Sequence, residues 1–157
     1  MRALVAAAGR RPWTATVVVA AGILILSLVP SPAGGPAAGL GPADKAAHAL
    51  GYAVLGMLTV RAVALDPRLA TRWPRPTSGL AATLGTMSLA VVVVLAVAAF
   101  GGGIELLQHA VPGRQFEVAD ALANTVGATV GVGWWTGRHR PNHPEPGTGR
   151  MRSNAGR

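Results

Sequence analysis

Between Leu80 and Phe100 the chain runs for 21 residues without a charged side chain. That run constrains the fold more than any other feature. It matches the roughly 20 predominantly apolar residues that a helix needs to cross a bilayer. Three further stretches share the pattern. Thr14–Val29 carries no charge, and Pro12 and Trp13 can extend it. Pro42–Leu65 is apolar apart from its first turn and Arg61, and Phe116–Thr136 is apolar after its first turn. Glycine is abundant throughout, and membrane spans tolerate it better than soluble helices do. The sequence therefore predicts an all-α, four-span transmembrane helical bundle covering residues 14–136. Residues 1–13 are a short N-terminal segment. Residues 137–157 form a basic tail rich in Pro, Gly, Arg and Asn, with little to bury and expected to be disordered. The GGPAAGLGP stretch at 34–42 reads as a Pro/Gly loop, and there is no internal repeat.

The charges fix an expected orientation. The chain has 14 basic and 6 acidic residues and a formal net charge of +8, a balance that would ordinarily suggest nucleic acid. Their placement argues otherwise. Arg2, Arg10 and Arg11 precede the first span. Arg61, Arg68, Arg72 and Arg75 lie between the second and third, and Arg138, Arg140, Arg150, Arg152 and Arg157 follow the fourth. Only Lys45 and Arg114 fall on the other side. The positive-inside rule then puts both termini in the cytoplasm, with Trp13, Trp73, Trp134 and Trp135 as interfacial anchors at cytoplasmic helix ends. The localisation expected is a multi-pass cell-membrane protein, and nucleic acid is not an expected partner. Residues 1–37 also resemble a secretory signal, with a basic start, an apolar stretch and small residues near Ala33–Gly35; cleavage there would leave the orientation of the other spans unchanged. With no cysteine in the chain, a disulfide framework, a Cys-based zinc site and a thiol nucleophile are excluded.

Polar residues gather at the outer ends of the later spans. Asp44, His48 and Tyr52 are spaced by four, on one helix face, with Lys45 beside them. Glu105, Gln108 and His109 share a face at the end of the third span. Arg114 follows the Pro112–Gly113 turn, and Glu117, Asp120 and Asn124 open the fourth span. At 1.5 Å per residue, three distant segments place polar groups at about one depth. Charges inside a bilayer are costly, at about 2.5–3.5 kcal/mol even on lenient scales, so such groups are expected to face inward and pair. Four carboxylates against two cations make the cluster acidic. It could hold a cationic or amide-bearing group, perform acid/base chemistry, or bind a metal through oxygen and imidazole. With one imidazole and no HExxH motif, no metal and no cofactor is assigned.

Plainer roles stand beside these. Asp44 and Glu117 can complement helix dipoles in first turns, and His109 can do so at a helix end. Arg114 can simply pair with Asp44, Glu105 or Asp120. Asp120 with Asn124 can be an interhelical polar clamp, and Ala123, Gly127 and Gly131 form a close-packing stripe. Gly101–Gly103 either kinks the third span or admits a neighbour.

The string DKAAHALGYAVLG (44–56) resembles the DKxxHxxxYxxLg signature of VanZ-like membrane proteins. The string IELLQHAVPGRQFEVADALANTVGATVG (104–131) is similar to that family's ExxQxxxPgRxxxxxDxxxNxxGxxxG signature. Asp44, Lys45, His48, Tyr52, Glu105, Gln108, Pro112, Arg114, Asp120, Asn124 and Gly127 fall on pattern positions, and the resemblance spans about residues 14–136. The family is named for a protein that raises resistance to teicoplanin, a lipoglycopeptide antibiotic. The resemblance implies a small helical membrane protein rather than a particular reaction.

Three functions compete. One is an envelope-binding protein whose outer pocket, formed by Asp44, Lys45, His48, Tyr52, Glu105, Gln108, Arg114, Asp120 and Asn124, engages a membrane lipid or lipid-linked envelope component and alters lipoglycopeptide susceptibility. The second is a membrane-embedded hydrolase or transferase, with His48, Glu105 and Asp120 as candidate acid/base groups. The third is a proton- or ion-coupled transporter. No Ser/His/Asp triad supports the second, and polar residues confined to one depth argue against the third. The sequence assigns no reaction and no oligomeric state.

Overall fold

The computed structural model describes residues 12–28, 42–72, 79–111 and 117–139, and all its elements there are helices. They are α1 (Thr14–Leu28), α2 (Pro42–Leu65), α3 (Pro67–Arg72), α4 (Gly79–Gln108) and α5 (Val118–Arg138). Four of them are the four apolar runs; α3 is a short turn of helix that follows α2. Pro42 opens α2 with Asp44 in the first turn, where its missing N–H costs nothing. Asp66 separates α2 from α3: its Oδ1 accepts the backbone N–H of Arg68 at 2.9 Å, a helix cap ahead of Pro67. Residues 1–11 of the terminal segment, the 34–41 part of the Pro/Gly loop, Trp73, the Pro112–Gly113–Arg114 turn and residues 140–157 of the tail lie outside the described residues.

α4 is longer than its charge-free stretch. It continues through Gly101–Gly103 to Gln108, 30 residues in all. Gly101 admits neighbours rather than breaking the helix: a Cβ there would meet Tyr52 Cε1 at 2.9 Å and Asn124 Nδ2 at 3.1 Å. Gly102 and Gly103 face open space.

α2 and α5 form the most extensive helix pair, and small residues make it. A Cβ on Gly127 would run into the carbonyl oxygen of Ala49, and one on Gly131 into that of Ala53. From the other side, a Cβ on Gly56 would lie 2.8 Å from the carbonyl oxygen of Ala128. The expected stripe along α5 is thus a backbone-to-backbone seam, the membrane way of gaining contact between helices. Residue numbers rise together along it, so α2 and α5 run parallel. α1 and α4 run the opposite way: Ile23 packs at Gly51, while Gln108 Nε2 donates to the carbonyl of Ser27 at 3.0 Å. Tyr52, Leu55, Val60, Val93, Val97, Ala128 and Val132 form the apolar core.

The polarity of inside and outside is reversed relative to a water-soluble bundle. Glu105, Gln108, Asp120 and Asn124 are buried, while Leu80, Leu84, Met87, Val91, Leu95, Leu122, Val126 and Val130 are exposed. Water would penalise so large an apolar surface; lipid would not. Thr125 and Thr129, also on the outer face, return their hydroxyls to the carbonyls four residues back at 2.9 and 2.8 Å, which satisfies them without solvent. Two helices, α2 and α4, are long and apolar enough to cross a membrane. α1 is apolar but has 15 residues, and α5 dilutes its apolar content with Asp120, Asn124 and its glycines.

The two ends of the bundle differ. At one, Trp13 Nε1 donates to Asp66 Oδ2 at 2.8 Å, Arg138 lies 4.3 Å over the Trp134 ring, and Trp135 stacks on His139. The other end holds the polar residues.

Candidate functional site

Parallel α2 and α5 bring their first turns side by side, and this assembles the polar end. The Lys45 ammonium donates to Glu117 Oε2 and to Asp120 Oδ1, each at 2.6 Å. The side chains are 27%, 23% and 10% exposed respectively, so the triad lies between a surface ion pair, worth under about 1 kcal/mol, and a buried one. One turn deeper, His48 Nδ1 and Asn124 Oδ1 are 3.0 Å apart. An amide oxygen only accepts, which assigns the ring proton to Nδ1. His48 Nε2 then faces Asp44 Oδ2 at 4.0 Å, too long for a hydrogen bond.

α4 contributes the wall. Its Glu105 is 1% exposed, and among the described residues neither carboxylate oxygen has a hydrogen-bond partner. Glu105 nonetheless lies within electrostatic reach of Asp120, His48 and Glu117, with the Glu117 backbone amide turned toward it. Asn124, buried like Glu105, leaves its Nδ2 without a partner. Buried polar groups are normally satisfied, so an unpaired acceptor and an unpaired donor beside one histidine mark a place where the protein does not complete its own network. Tyr52 forms the floor, 2% exposed and tilted against Phe100 with 6.5 Å between ring centroids.

Asp44, Lys45, His48, Tyr52, Glu105, Asp120 and Asn124 therefore meet at one end of the bundle. Gln108 is also buried but is turned to Ser27 on α1, where it ties two helices together. His109 does not join the others: α4 stops at Gln108, and His109 is exposed in the turn that follows. Arg114 lies outside the described residues.

A family model, VanZ/LLP1, matches residues 32–138. The chain belongs to the VanZ/LLP1 family. The matched stretch covers α2 to α5 and starts after α1, so it is shorter at the N-terminus than the 14–136 expected from the two signatures. Comparison with curated proteins and with solved structures gives no match. In this VanZ/LLP1 chain the two signatures fold onto each other, the first supplying Lys45 and His48, the second Glu105, Asp120 and Asn124.

Two participants escaped the sequence reading of the site. Glu117 was expected chiefly to complement the α5 dipole. It occupies the N-cap position, yet its side chain makes no capping hydrogen bond and binds Lys45 instead. Gly101 supplies the space in which Tyr52 and Asn124 meet. Its only sequence signal, a Gly triplet, does not say which of the three matters.

Proposed function

We propose that this VanZ/LLP1 protein is a four-span membrane protein with both termini cytoplasmic, whose polar end opens to the outside and binds the headgroup of a membrane lipid or lipid-linked envelope component. Through that binding it alters susceptibility to glycopeptide or lipoglycopeptide antibiotics. The observation that carries the reading is the Glu105 carboxylate and the Asn124 Nδ2, which have no hydrogen-bond partner among the described residues: an acceptor and a donor are held, buried, at the polar end of an apolar bundle. Such a set fits the cationic or amide-bearing part of a headgroup, which offers hydrogen-bond donors to Glu105 and a carbonyl to Asn124. Purification with native lipids followed by mass spectrometry tests it. A phospho- or peptidoglycan-lipid should co-purify with the wild type, and its yield should fall at least about tenfold in Glu105→Gln and Asp120→Asn at unchanged membrane level, the loss expected for about 1.4 kcal/mol of binding. Equal lipid in both variants would sink the reading. Antibiotic susceptibility measured beside protein level then connects binding to the cellular role.

A second reading, a membrane-embedded hydrolase or transferase, draws on one observation: Asn124 orients His48 so that Nε2 is the basic nitrogen. A general base needs such an orienting partner. Turnover of the co-purified lipid that is lost in His48→Ala, with binding kept, would favour it.

A further inference from the structure

The geometry around His48 points to a metal. We propose that Asp44, His48 and Asp120, backed by Glu105, bind one divalent transition-metal cation. A ligand atom from each of the first three lies within 4.8 Å of the others. The arrangement around the histidine is that of a ligand: its Nδ1 is engaged by the Asn124 oxygen, which leaves Nε2, on the Asp44 side, as the nitrogen that can meet an ion. Metal-binding histidines hold the second nitrogen in this way. Asp120 meets Lys45 through Oδ1, and its Oδ2 is the second oxygen available to an ion. Glu105 provides the independent sign. It is 1% exposed, carries two oxygens without a hydrogen-bond partner among the described residues, and lies in the electrostatic neighbourhood of His48 and Asp120. It stands one turn beyond Gly101, which is walled by Tyr52 and Asn124, so its face of α4 is the face turned toward the cluster.

Charge balance argues the same way. Among the described residues of this end, the carboxylates of Asp44, Glu105, Glu117 and Asp120 outnumber the one ammonium, Lys45, and surplus charge in a membrane domain favours pairing. A dication supplies the partner. One imidazole among carboxylates suits zinc or manganese better than magnesium or calcium, which favour all-oxygen sites.

The test uses the full-length protein purified in detergent, stripped with EDTA and titrated with Zn²⁺, Mn²⁺ or Mg²⁺, with bound metal measured by mass spectrometry and stability by thermal unfolding. About one equivalent of Zn²⁺ or Mn²⁺ should bind and raise the unfolding temperature. Affinity should fall at least about tenfold in Asp44→Asn and His48→Ala and by about 10–100-fold in Asn124→Ala. It should be unchanged in Asp66→Asn, which removes a carboxylate at the opposite end. Asp44 is partly exposed, so Asp44→Asn tests the site even if His48→Ala fails to fold. Undiminished binding in Asp44→Asn, an equal loss in Asp66→Asn, or a preference for Mg²⁺ over Zn²⁺ would each overturn the proposal. The outcome is separable from the headgroup reading: metal without co-purified lipid keeps this inference and removes that one, and lipid without metal does the reverse.

Discussion

Asp66 shows how one side chain can serve two elements. It caps α3 through the Arg68 amide and accepts the Trp13 indole N–H. The indole hydrogen bond first, and the backbone amide after it, hold its carboxyl below the usual carboxylate range. The sign follows: a lowered pKa favours the folded state above the ordinary value near 3.9, and that contribution disappears as pH falls through the lowered one. In a variant keeping Trp13 as its single tryptophan, fluorescence should stay constant from pH 7 to about 4 and change only below. A change centred near pH 6 would contradict the assignment. Single residues were unevenly legible. Asp44, His48 and Tyr52, and Asp120 with Asn124, could be grouped in advance because helical spacing converts directly into a shared face. Glu117 could not, because a carboxylate at a helix start has a plainer use and only the tertiary position of Lys45 overrides it. His109 fits the plainer of its two readings: it is exposed just past the end of α4, apart from the residues that meet.

Among the elements, the α2–α5 seam makes the sharpest demand. A methyl group at Gly131 would strike the Ala53 carbonyl, whereas Gly133, on the same helix, has open space where its Cβ would go. Gly131→Ala should therefore destabilise the detergent-solubilised protein by about 1–3 kcal/mol, the usual range for overpacking. Gly133→Ala should be neutral or stabilising by up to about 1 kcal/mol, because alanine is the better helix former. Denaturation in graded SDS measures both, and equal effects would dissolve the seam argument. The helices themselves were readable within a residue or two where apolarity defines them, as at Thr14 and Pro42. The far end of α4 was readable for a different reason: its last turns are polar, and the helical spacing of Glu105 and Gln108 carries the span past its apolar stretch to where the helix ends.

At the scale of the whole molecule, alternating helix directions separate a polar end from a tryptophan end, and only the charge pattern says which faces out. His109 and His139 are both exposed and stand at opposite ends. With a membrane-impermeant thiol reagent on intact cells, His109→Cys should label and His139→Cys should not; the reverse result would invert the orientation. That a bundle forms was legible because four long apolar runs admit few alternatives in lipid. That α2 would pack most closely on α5, with α4 as the third wall of the site, was not, because the extent of pairing between distant helices is decided by the glycine seam. The seam also sets the order of assembly. Lys45 leaves the ribosome 75 positions ahead of Asp120, its partner, and at translation rates of about 5–20 residues per second it waits about 4–15 s. During that interval the ammonium has neither carboxylate of its triad. The last helix is thus the one that completes the protein, and a nascent chain stalled after α4 would present quality-control machinery with a polar end still missing the Glu117 and Asp120 carboxylates of its triad.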